Sequence, residues 1–284
     1  MPFVKESLKD QAPESVTVFR WLGHSTIFFQ IDGLKILTDP VLTRRASPVS
    51  FSGPAAFKGS QPYSPEEFPE LDYVLLSHDH FDHLDYKTIK KLYPKTTKFI
   101  VPLGVECHLI RWGVSPEKII SLDWWQERQL SEHLKLISSP AQHFTGRRRR
   151  SNDTLWCSWI LNHSGTKYFF NGDSGYSPHF KEIGDKYGPF ALTMLECGAY
   201  GDYWPYIHMK PEETHQAHLD LKGEKLLPIH WAKFNLAFHP WDEPIGRLMT
   251  VSQKAASTVL TPLIGEPFNP RSEFSFKKWW EEIG

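Results

Sequence analysis

Long apolar runs are missing from this chain: no window approaches 18 consecutive apolar residues, which excludes a membrane-spanning helix from it. The first ten residues carry charges where a secretion signal needs its apolar stretch. Cysteine is scarce. Cys107, Cys157 and Cys197 are odd in number, widely spaced and form no Cys-x-x-Cys pair, so a disulfide framework is excluded and the three read as reduced, structural thiols. Excess charge is missing as well, with 32 basic residues against 33 acidic, and global electrostatics gives no reason to expect a nucleic-acid partner. There is no internal repeat and no low-complexity tail. These absences together lead us to expect a cytoplasmic protein. At 284 residues the chain is long enough for one large α/β core, and we expect one domain over 1–284 with an N-terminal extension at 1–15.

Histidine and tryptophan are what the chain does have. Three of its 14 histidines fall in the hexapeptide His78-Asp79-His80-Phe81-Asp82-His83, directly after the apolar run Val74-Leu75-Leu76. Four metal-competent side chains in six positions at the end of a strand predict a metal site built on a loop. The 11 tryptophans read mainly as core anchors, with an aromatic-lined groove as the alternative.

Periodicity predicts strands at 16–21, 25–31 and 34–38, the last two joined by a tight turn at Asp32-Gly33. Residues 41–69, rich in Pro, Ser and Gly, predict a long ordered loop. Beyond it, strands are expected at 73–76, 98–101, 134–138, 156–161, 167–170, 191–195 and 225–227. Helices are expected at 86–92 and from Pro211 to before Gly223. Four of these strands deliver a ligand-type residue just past their ends: the hexapeptide after 73–76, His143 after 134–138, Asp173 after 167–170 and His230 after 225–227. In α/β architectures sites assemble at that edge.

Seven candidate ligands result: His78, His80, Asp82, His83, His143, Asp173 and His230. Seven are too many for one tetrahedral ion and suit two ions sharing a carboxylate. Spacing assigns His78, His80 and His143 to one ion, Asp82, His83 and His230 to the other, and Asp173 to the bridge. Imidazoles with few carboxylates and no thiolate favour two Zn²⁺, with Mn²⁺ or Fe²⁺ as alternatives.

This ordered ligand set resembles the metallo-β-lactamase superfamily. Further segments, among them Trp21-Leu22-Gly23-His24-Ser25-Thr26, Thr38-Asp39-Pro40, His83-Leu84-Asp85-Tyr86, Gly172-Asp173-Ser174-Gly175-Tyr176 and Ile229-His230-Trp231, are similar to the N-acyl-phosphatidylethanolamine-hydrolysing phospholipase D family. The resemblance spans residues 16–244. It departs from the mammalian members in the short segment ahead of Val16 and in Ile207, where they have glutamine beside the histidine. What it implies is a four-layer αββα sandwich of two mixed sheets with outer helices, and a di-zinc site hydrolysing a phosphodiester to phosphatidic acid and an N-acylethanolamine. In that scheme Asp82 also orients the attacking hydroxide, His208 donates to a phosphate oxygen or the leaving group, and Asp39 fixes the tautomer of a ligand histidine.

The partner expected is a small-molecule or phospholipid-like phosphodiester, with peripheral membrane contact through Arg147-Arg148-Arg149-Arg150 as one reading of that run and a solvated loop as the other. An oligomer is compatible with the sequence. A lactonase or other ester or amide hydrolase on the same two metals is the alternative activity, and a non-catalytic, metal-stabilised binding protein the second alternative. Pocket walls are expected from residues 41–69, Trp124-Trp125 and residues 198–210. His24 reads as a turn residue at least as well as a site residue, His215 and His218 as a solvated helix face, and Glu127-Arg128 as helix surface.

Overall fold

The computed structural model describes residues 1–13, 15–49, 51–147 and 152–283. Its first half is built from β1 (Val18–Trp21), β2 (Ile27–Ile31), β3 (Leu34–Thr38), β4 (Leu71–Leu75), α1 (Tyr86–Leu92), β5 (Thr96–Pro102), α2 (Glu106–Arg111) and β6 (Ile119–Leu122). The second half comprises β7 (Glu127–Gln129), β8 (Leu134–Ser139), β9 (Ser158–His163), β10 (Thr166–Phe170), α3 (His179–Tyr187), β11 (Leu192–Glu196), α4 (Pro211–Asp220), β12 (Lys225–Ile229), α5 (Glu243–Lys254), β13 (Thr258–Val259) and β14 (Pro267–Phe268).

Two seven-stranded sheets result, in the orders β14-β1-β2-β3-β4-β5-β6 and β13-β12-β11-β10-β9-β8-β7. Both are mixed. The first is antiparallel from β14 to β3 and parallel from β3 to β6; the second is parallel from β13 to β10 and antiparallel from β10 to β7. The turn expected at Asp32-Gly33 closes β2 onto β3 with positive φ at both residues, 54° and 74°, the conformation such a hairpin needs.

Strand alternation separates the layers. Phe29, Ile36, Leu75 and Ile100 point into a core shared with Trp159, Tyr168 and Phe170 of the other sheet, and the Phe19 and Tyr168 rings meet across it at 5.2 Å. Phe28, Leu37, Val74 and Phe99 point the other way, under Ile89 and Leu92 of α1 and Leu109 of α2. Phe180 and Ile183 of α3, Ala217 of α4 and Leu248 of α5 cover the far face of the second sheet. The order is helices, sheet, sheet, helices, as the resemblance implies.

Three local readings need correction. Glu127 and Arg128 lie in strand β7 rather than on a helix, paired with Ile137 and Leu136. His215 and His218 are buried, hydrogen bonded to Ser257 Oγ at 2.9 Å and Thr193 Oγ1 at 2.7 Å, because α4 packs against α3, α5 and β11 and has little solvated face. Helices α2, α3 and α5 were not expected from the sequence pattern. Among the described residues no helix is long and apolar enough to cross a membrane.

Candidate metal centre

The parallel strands deliver their C-terminal ends to one edge of the sandwich. There β4 runs into His78–His83, β8 into His143, β10 into Asp173, and β12 into His230, while β11 ends on Glu196 itself. Gly172, between β10 and Asp173, has a φ of 63°, and a Cβ there would stand 2.5 Å from Ser77 Cβ, so the turn that aims Asp173 inward requires glycine.

All seven predicted ligands meet at this edge. His78 Nε2 and His143 Nε2 lie 3.0 and 3.1 Å from His80 Nδ1. Both separations are near the donor–donor edge of a tetrahedral site, since bonds of about 2.0–2.1 Å put neighbouring donors roughly 3.3 Å apart. Asp82 Oδ2 lies 3.3 Å from His230 Nε2 and 3.5 Å from His83 Nε2. Asp173 Oδ2 faces both groups: it is 3.1 Å from His83 Nε2 and from His230 Nε2, and 3.8 Å from His78 Nε2 and from His143 Nε2.

Outer partners fix which ring atom points inward. His143 Nδ1–H donates to Ile207 O at 2.9 Å and His83 Nδ1–H to Asp39 Oδ2 at 2.8 Å. His78 Nδ1–H donates to Ser77 Oγ at 2.9 Å, and that hydroxyl donates in turn to Asp39 Oδ2. Each bond leaves an Nε2 lone pair aimed at the centre, the arrangement by which proteins orient metal-binding imidazoles. Asp39 therefore acts on two histidines.

The electrostatics fit a site for cations. Burial alone would raise Asp173 and Asp82, yet the histidines beside them hold both carboxylates well below their usual range. Burial, the largest single influence, would likewise lower His230, but Asp173 and Asp82 together outweigh it and lift the ring to about 10. His78 and His143 are pushed well down, first by burial. Asp173 Oδ1, His83 Nε2 and His230 Nε2 are buried without a hydrogen-bond partner among the described residues. Unsatisfied buried polar atoms cost about 1–3 kcal/mol each, and metal coordination satisfies them.

The profile of the beta-lactamase superfamily domain matches residues 35–231. The chain belongs to the metallo-β-lactamase superfamily. It is 34% identical over 248 residues to the N-acyl-phosphatidylethanolamine-hydrolyzing phospholipase D 1 of Caenorhabditis elegans, covering 82% of this chain and 69% of that protein. It is 43% identical over 264 residues to an uncharacterized protein of Mycobacterium tuberculosis, covering 92% of this chain and 70% of that one. The metallo hydrolase Igni18 of Ignicoccus hospitalis superposes with a TM-score of 0.66 at 20% identity, over 93% of this chain and 100% of its own. The superfamily and the phospholipase D relative make this chain a metal-dependent hydrolase.

The metallohydrolase site includes two side chains beyond the predicted set. His24, only 1% exposed, places Nε2 2.9 Å from Asp82 Oδ2 and its ring centre 4.0 Å from that of His230. Burial, then the neighbouring His230, lowers it to about 3, so it is a neutral ring. Glu196, fully buried, puts Oε2 2.6 Å from His208 Nδ1 and accepts from Met209 N–H at 2.7 Å. His208 itself stands with its ring centre 5.2 Å from those of both His143 and His230. A cleft of about 350 Å³ opens on this centre, lined by His80, Asp82, Asp173, His208 and His230 and walled by Phe144, Trp204, Ile207 and Leu236 among others.

Of the expected walls, residues 198–210 contribute to this cleft. Trp124 and Trp125 do not: the first donates to Trp156 O and the second stacks on Tyr187. Residues of the 41–69 loop instead border a larger cavity of about 570 Å³, across Phe81 from the metal-ligand candidates, which none of the seven lines. Of the arginine run only Arg147 lies within the described residues, and it turns inward rather than toward solvent.

Lys233, just past β12, anchors the start of the long loop by donating to Val41 O at 2.7 Å. Burial pulls it from 10.5 down to about 7, with Asp85 opposing only in part. The unfolded chain protonates this amine near its ordinary value, so between pH 7 and 10.5 it binds more protons than the folded one and Lys233 makes stability rise with pH. Urea unfolding at pH 7 and pH 9 should show the native protein gaining relative to Lys233→Met by up to about 1.4 kcal/mol per pH unit. Parallel pH dependence in the two proteins would contradict this.

Proposed function

We propose that the chain is a two-metal phosphodiesterase of the N-acyl-phosphatidylethanolamine phospholipase D type, with zinc as the metal. One observation carries the reading: a single buried carboxylate oxygen, Asp173 Oδ2, faces both a three-histidine group and an aspartate-histidine group. His78, His80 and His143 would hold one ion, Asp82, His83 and His230 the other, and Asp173 both. Two ions held there supply a hydroxide nucleophile at neutral pH and draw charge from phosphoryl oxygens.

The chain's own residues perform the remaining tasks. Asp82, steadied by His24 through Oδ2, accepts a hydrogen bond from the attacking water and fixes its line of approach to phosphorus. His208 has Nδ1 engaged by Glu196, so Nε2 is the atom left for substrate. Protonated there, it donates to a phosphoryl oxygen or passes its proton to the departing oxygen. The cleft walls Phe144, Trp204, Ile207 and Leu236 suit an acyl chain beside the phosphate. Around them the rim is apolar and wet: Tyr203 is 88% exposed, Tyr206 73% and Phe238 87%, with the Trp204 and Phe238 rings 5.9 Å apart. Aromatic side chains in that setting support contact with the surface of a phospholipid aggregate.

A panel of bis-p-nitrophenyl phosphate, an acyl-homoserine lactone and nitrocefin tests the reaction class on the zinc-loaded protein. The phosphodiester should turn over fastest. Preferential opening of the lactone would replace this reading with a lactonase, and inertness toward all three together with saturated coordination would favour a structural metal.

A further inference from the structure

Arg147 follows His143 by four residues, and its guanidinium is drawn into the protein. Nε donates to Asp79 O at 2.7 Å, and Nη2 donates to His80 O at 3.4 Å and to Leu84 O. The guanidinium carbon lies 4.2 Å from the centre of the Phe81 ring and 5.1 Å from that of Trp112. Beside it, Gly146 N–H donates to Asp79 Oδ1 at 3.3 Å, and Asp79 Oδ2 pairs with His108 Nε2 at 3.0 Å.

The three carbonyls bracket the turn that carries His80, Asp82 and His83. That turn lies between β4 and α1, so no neighbouring strand serves its outward carbonyls. Among the described residues, His80 O is the only one of the three also used within the turn, by His83 N–H at 3.1 Å and Leu84 N–H at 2.8 Å. A rigid five-donor fork can reach several carbonyls at once, which a lysine ammonium on its flexible stem cannot reproduce. Across this clamp the donor atoms of two separate segments, His80 Nδ1 and His143 Nε2, stand 3.1 Å apart.

We infer that Arg147 is a positioning residue of the metal centre: it ties the turn bearing His80, Asp82 and His83 to the segment bearing His143, and so sets the spacing between donors from the two. The inference rests on the reading that these residues hold metal. It gives the first arginine of the four-arginine run a task inside the protein rather than at a membrane.

The test is a titration of the metal-free full chain with Co²⁺ against a competing chelator, comparing wild type with Arg147→Lys and Arg147→Gln, with thermal melts of the metal-free proteins alongside. Wild type should take up two ions. Both variants should hold at least one ion about 10–100-fold more weakly, with altered visible cobalt bands, as loss of an outer partner does in other metal sites. Should Arg147→Gln fail to fold, Trp112→Leu, which removes one ring from beside the guanidinium, carries the same comparison. Wild-type affinity and bands in folded variants, whatever their melting temperatures, would overturn the inference. A wild type that takes up no cobalt would instead overturn the metal-centre reading, before any variant is compared.

Discussion

Asp173→Ala should lose two-metal occupancy and hydrolysis together. Among the described residues the carboxylate is the only one placed to face both donor sets, with Oδ2 3.1 Å from two histidine nitrogens and 3.8 Å from two more. On the two-metal reading, removing it would delete a ligand from each ion and half of the negative charge that Asp82 and Asp173 bring to the centre. We expect a fall of at least ~10³ in kcat/KM, about 4 kcal/mol of transition-state stabilisation, and a metal content near one ion or below. His80→Ala should act in the same direction, because His80 Nδ1 sits between His78 and His143. Elemental analysis on the same samples used for kinetics makes the comparison. Full turnover at sub-stoichiometric metal would refute the two-metal scheme.

The second large effect separates chemistry from metal binding. His208→Ala should lower kcat by about 10²–10⁴, the usual worth of a positioned proton donor, and leave two ions bound. Glu196→Gln should show a smaller loss of the same kind. The amide keeps an oxygen near Met209 N–H and His208 but is a weaker acceptor than a carboxylate for the ring's Nδ1–H. Loss of metal in either variant would move its residue into the ligand set, a placement the geometry leaves room for, since Asp173, Glu196, His208 and His230 present donor atoms within 4.8 Å of one another.

How legible this site was in the sequence follows from how each residue reaches it. The hexapeptide, His143, Asp173 and His230 all sit within a few residues of the end of a strand whose apolar run is plain, and parallel strands bring such ends to one edge. Glu196 obeys the same rule, as the last residue of β11, so the signal for it was present and unused.

His24 is different. Its ring enters the centre because its backbone takes a φ of 55°, and because His230, itself at 64°, donates its N–H to His24 O at 3.0 Å. Left-handed conformations at non-glycine residues cost about 1–3 kcal/mol and persist only where tertiary contacts impose them, so no local pattern announces them. Arg147 was hidden for a related reason. Four consecutive like charges read as solvated chain, and only the fold shows that the first meets a turn with unserved carbonyls. On α4 the polar composition suggested an exposed face, whereas its position between α3 and α5 buries both His215 and His218.

On the proposed function, water activated at this centre attacks phosphorus rather than an acyl carbon. Hydrolysis of N-acyl-phosphatidylethanolamine by the zinc-loaded protein in ¹⁸O-labelled water, followed by mass spectrometry of the products, tests it most directly. The label should appear in the phosphate of the released phosphatidic acid, with none in the N-acylethanolamine. Label in a free carboxylic acid would show attack at acyl carbon and contradict the account, as would zinc-loaded protein that leaves this lipid intact.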